Sequence, residues 1–89
     1  MDRKQAFENL QHHPWFGKVF ARLKPATKAL ALQFIEQHQS ASHDQFIPLV
    51  NRMFLDKERP KQWELILDLL TAASVAANQK TNILSKDSN

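Results

Sequence analysis

The sequence predicts an all-α protein: a compact bundle of four to five short helices with a long, mostly buried C-terminal helix. Three observations carry this. Gly17 is the single glycine in 89 residues, and tight hairpins, phosphate-cradling loops and dinucleotide-binding turns all need glycines at fixed offsets. Tyrosine is absent, and β-branched residues are few beside Ala, Leu, Gln and Lys, which favour helix. Pro14, Pro25, Pro48 and Pro60 each stand at or near the start of a segment with helical apolar spacing, where the missing N–H costs little and a fixed φ is preorganised.

The first helix is expected over Asp2 to Gln11, with Ala6, Phe7 and Leu10 as a short apolar stripe. The second, Pro14 to Leu23, aligns Phe16, Val19, Phe20 and Leu23 at i, i+3, i+4 and i+7. The third, Pro25 to about Gln39, puts Thr27, Leu30, Ala31, Phe34, Ile35 and His38 on one face and ends on polar residues without a glycine. The fourth begins near Ser42 or Asp44, where Ser42-His43-Asp44-Gln45 matches a capping box. Its stripe is Phe46, Leu49, Val50, Met53 and Phe54. Pro48 either falls in the first turn or delays the helix to that point.

The fifth segment, Pro60 to about Asn78, is the longest. Its polar residues Lys61, Glu64, Asp68, Thr71 and Asn78 occupy a narrow strip. Trp63, Ile66, Leu67, Leu70, Ala73 and Ala77 form one apolar face, and Leu65, Leu69, Ala72 and Ala76 a second, so this helix needs cover on more than one side. The run from Thr71 to Ala77 lacks bulk, which permits close helix approach, and Val75 falls inside the polar strip. Residues 1–80 are expected to form a single domain, with 81–89 a polar, disordered tail.

Composition narrows the function. The chain has no cysteine, which excludes disulfide frameworks, thiolate zinc sites and thiol catalysis. Its apolar runs are far shorter than the roughly 20 residues that span a bilayer, and the basic N-terminus has no apolar segment of a secretory signal behind it; a cytoplasmic protein is expected. His38 and His43 flank a turn, and His12 and His13 are adjacent, but neither pair has a diagnostic metal-ligand spacing. His13 reads as the cap of the Pro14 helix, and no metal or other cofactor is expected. Glu64 and Asp68 lie on a solvated strip, Ser42 reads as a cap, and no nucleophile stands beside a base, so the chain is not expected to be an enzyme.

Charge is uneven. Net charge is +3, yet residues 1–30 carry six basic residues against Asp2 and Glu8, a local +4, and no acid occurs between Glu8 and Glu36. Lys18 and Arg22 are i and i+4 on the second helix with Trp15 at the rim of their face, and Lys24 and Lys28 continue the patch. A helix-turn-helix built from the third and fourth helices fits less well, because the fourth helix exposes Arg52 as its one cation.

Two readings follow. One is a small regulatory or adaptor protein that binds another protein, or a second copy of itself as a homodimer, through the last helix, with Trp63, Leu65, Leu69, Ala72, Val75 and Ala76 as the interface. The other is a nucleic-acid-binding regulator that uses Trp15, Lys18, Arg22, Lys24 and Lys28, the patch over residues 15–28. Neither reading involves a membrane.

Overall fold

A computed structural model describes residues 2–53 and 62–87, with side chains of the last helix described as far as Asn78. Phe54 and Pro60 lie outside the described residues. Among the described residues there are five α-helices and no strand: α1 (Arg3–Asn9), α2 (Phe16–Ala21), α3 (Pro25–Gln37), α4 (His43–Arg52) and α5 (Trp63–Asp87), with a single 3-10 turn (Leu10–His12) between α1 and α2.

Each boundary has a local cause. Asp2 caps α1, its Oδ1 accepting from the Gln5 N–H at 2.7 Å. His13 and Lys24 precede prolines and are extended, with ψ of 138° and 153°, because a following proline ring disfavours the helical region. These two residues bracket the expected span Pro14 to Leu23, within which the α-helix itself is shorter, Phe16–Ala21. Pro25 occupies the first turn of α3, where it removes no helical hydrogen bond.

The capping box expected at α4 is present in full. Ser42 Oγ accepts from the Gln45 N–H at 3.2 Å, and Gln45 Oε1 accepts from the Ser42 N–H at 2.9 Å. Because this box starts the helix at His43, Pro48 sits beyond the first turn, inside the helix. That corrects both placements considered from the sequence. The proline has no N–H for the Asp44 carbonyl, an accommodation open to an exposed helix edge.

The core is built around α5, which packs against α1, α2, α3 and α4. Ile66, Leu69, Leu70 and Ala73 of α5 are buried against Ala6, Phe7 and Leu10 from the N-terminal segment, Phe20, Ala31, Phe34, Ile35, Phe46 and Val50. Phenylalanine rings meet in tilted or edge-on pairs, Phe7 with Phe20 at 5.3 Å and Phe34 with Phe46 at 5.5 Å between centroids. Leu30, expected to be buried, remains 42% exposed. It stands at the edge of the α3 stripe, whose centre at Thr27, Ala31 and Phe34 takes the contacts with the core.

α5 continues to Asp87, well past the end near Asn78 expected from the sequence, so the backbone of 81–87 carries on the same helix. Among the described residues no helix is long and apolar enough to cross a membrane.

Candidate protein-binding groove

Gly17 places the start of α2. A Cβ at this position would stand 2.8 Å from the Gln11 carbonyl oxygen, so the close approach of α2 to the 3-10 turn requires glycine. His13 completes the junction: its Nδ1 accepts from the backbone N–H groups of Trp15 at 3.1 Å and Phe16 at 3.2 Å. His13 thus satisfies N–H groups ahead of α2, although the helix starts later than Pro14 and the residue at its cap position is Trp15. The Trp15 ring packs edge-on to Phe16, with centroids 4.6 Å apart and planes at 83°.

This junction forms one wall of a groove of about 750 Å³ that runs along α5. Leu67, Ala72, Val75 and Ala76 give it an apolar floor, Leu10, Trp15 and Phe16 border it, and Asp68, Thr71, His13 and Asn51 supply its polar groups. Trp15 is 58% exposed and is one of two large apolar side chains that protrude from the described surface. An apolar trough with one exposed tryptophan and a few polar groups is suited to receive another chain's apolar side chains.

The structure regroups the residues singled out in the sequence. Ala72, Val75 and Ala76 line the groove together with Trp15, so members of two separate expected sites meet in one. Leu69 is 0% exposed and belongs to the core, which corrects its placement in an interface: the bundle itself covers that part of the second apolar face. Trp63 and Leu65 are half-buried near the start of α5 and do not line the groove. Leu10, Phe16, Leu67 and Asn51 were not foreseen as groove residues, because their proximity is a product of tertiary packing.

Along α2, Lys18 and Arg22 are exposed, as is Lys24 just beyond it, and none of the three forms an ion pair with a described residue. Trp15, Lys18 and Arg22 are spaced i, i+3 and i+7, which puts them on one side of the helix. Lys28 differs from the other three. It is half-buried, with its ammonium 5.0 Å from the Phe20 ring centroid, so part of its charge is engaged within the fold.

A second cluster is structural. Arg3 reaches from α1 across the end of α3: its Nη1 donates to the His38 carbonyl at 3.1 Å, its Nη2 to the Ala41 carbonyl, and its Nε to Ser74 Oγ at 3.3 Å. The guanidinium carbon lies 4.2 Å from the Phe46 ring centroid. Burial lowers the Arg3 pKa from its ordinary value by desolvation of the cation. Arg3 therefore takes up carbonyls near the C-terminus of α3, a helix that ends without glycine. Ser74 Oγ is also 2.9 Å from His43 Nδ1. The serine is 1% exposed, and it lies with Arg3 and His43 at a small cavity of about 240 Å³.

Among the described residues no group of three His, Asp or Glu side chains is placed to hold a metal ion. Comparison with protein-family models, curated proteins and solved structures finds no match to this chain.

Proposed function

We propose that the protein is a non-enzymatic regulatory or adaptor module that binds a helical segment of another protein in the groove along α5. The observation that carries this reading is the meeting of exposed Trp15 with the small-residue floor of Ala72, Val75 and Ala76. Small side chains let a second helix axis come close, and a protruding tryptophan beside them supplies an anchor of large contact area. Ala72 and Ala76 pack on the outside of the core and, like Val75, stay partly exposed, which leaves a surface that a partner can cover.

Affinity capture from the native host tests the reading. Wild-type protein should retain a defined set of host proteins, nuclease treatment should leave them bound, and Trp15→Ala and Val75→Glu should each release them while the circular dichroism spectrum stays helical. Retention of the same set by both variants would refute the groove as the binding site.

The nucleic-acid reading draws on a different observation: Lys18 and Arg22 follow Trp15 on one side of α2 and Lys24 comes next after the helix, all three exposed and without described ion pairs. It requires binding to a duplex or single strand that weakens steeply with salt, and a shallower salt dependence for Lys18→Gln/Arg22→Gln.

A further inference from the structure

We infer that the groove is built for an acidic amphipathic helix, one that sets apolar side chains on Ala72, Val75 and Ala76 and carboxylates against Lys18 and Arg22. The inference rests on the proposed protein-binding role of the groove and assigns the chemistry of its occupant.

Length is the first argument. From Leu67 to Ala76 the floor follows α5 for about 14 Å at 1.5 Å per residue, or roughly two and a half turns. A partner helix of that length presents apolar side chains at i, i+3 or i+4, and i+7, enough to fill the floor with one face.

Charge selects the edge. Lys18 stands one turn beyond Trp15 on the same side of α2, and Arg22 one turn further. Both are exposed and unpaired among the described residues, and the sequence holds no acid from Gly17 through Ile35 to compensate them. Neither side chain lines the groove itself, but the Arg22 carbonyl accepts from Gln62 Nε2 just ahead of α5, so a helix that passes Trp15 and continues toward the start of α5 runs toward both cations. Asp68 lies in the lining itself, so carboxylates are favoured on the α2 flank and disfavoured over the floor. The partner's acids are thus confined to one edge.

The same features disfavour the alternative occupants. Duplex DNA carries one charge per about 1.7 Å of axis, and a phosphate backbone laid in this groove would cross an apolar floor and face Asp68. A second copy of the chain carries the same net charge of +3 and no acid from Gly17 through Ile35, so it matches a basic edge less well than an acidic helix does.

The test uses Trp63→Phe protein, which leaves Trp15 as the sole tryptophan. Fluorescence titrations compare three probes: a helical peptide with Leu at i, i+4 and i+7 and Glu along one edge, its counterpart with Lys in place of Glu, and a short DNA duplex. Isothermal titration of the wild-type chain repeats the comparison without the substitution. The Glu peptide is expected to bind and shift Trp15 emission to the blue, with the Lys peptide about tenfold weaker and the gap closing at high salt. Lys18→Glu/Arg22→Glu should invert the preference. Equal binding of both peptides would overturn the acidic assignment while leaving the groove as a protein-binding site. Silence from both peptides would overturn the two readings together. Preference for the duplex over the Glu peptide would transfer the basic edge to nucleic acid.

Discussion

Arg3→Met removes a single half-buried cation while keeping most of its stem, and should destabilise the fold by about 3 kcal/mol. The figure follows from the three hydrogen bonds that the guanidinium donates, to the His38 and Ala41 carbonyls and to Ser74 Oγ. Charge-assisted bonds can be worth more, but burial of Arg3 opposes them, so about 1 kcal/mol net per bond is the appropriate scale. The contact over Phe46 is partly replaced by the Met thioether, which also packs favourably on aromatic rings, so the total stays at about 3 kcal/mol.

For a chain of 89 residues the total stability is on the order of 4 to 13 kcal/mol, so the change is large. Urea unfolding followed by circular dichroism should show the midpoint falling by about 2 M at unchanged slope, for a slope of about 1.5 kcal/mol per M. Arg3→Lys keeps the charge but not the planar fork and should fall between the two. Ser74→Ala combined with Arg3→Met should cost less than the sum of the single changes, because the two residues share a bond. A loss below about 1 kcal/mol for Arg3→Met would refute the claim that this side chain ties α1 to the end of α3.

Three further expectations concern packing and caps. Gly17→Ala gains up to about 1 kcal/mol of helix propensity but drives a Cβ against the Gln11 carbonyl oxygen, an overpacking that costs about 1 to 3 kcal/mol. Calorimetry should therefore show a lower Tm, and a raised Tm would mean that α2 need not approach the 3-10 turn so closely. Ser42→Ala should cost about 1 kcal/mol in urea unfolding, with Ser42→Ala/Gln45→Ala less than additive because the two bonds of the box are reciprocal. Phe46→Ala should lose about 3 to 5 kcal/mol, since the ring is fully buried, packs on Phe34 and underlies Arg3. A variant that still unfolds near the wild-type urea midpoint would argue against that packing.

The local signals translate directly into structure where the cause is local. Ser42 and Gln45 cap α4 because both partners of the box lie within four residues, and Pro25 starts α3 because its ring needs no neighbour to set φ. The stripe of Phe46 and Val50 is buried as its period requires. Period alone could not separate Leu69, which the bundle covers, from Ala72 and Ala76 of the same face, which remain at the surface groove. The two apolar faces of α5 carry the same signal in sequence, and only the positions of α1, α2, α3 and α4 distinguish them.

The sequence by itself determined a helix-only build, the punctuation by proline, the wide apolar girth of the last helix and the basic bias of the first thirty residues. Each of these depends on composition or on interactions a few residues apart. Tertiary structure alone decided that Arg3 would complete α3 from more than thirty positions away, and that Trp15 would stand beside Val75 in one groove. Such contacts are set by how helices pack, and the approach of α2 permitted by Gly17 brings the exposed tryptophan and the small residues of α5 to the same surface.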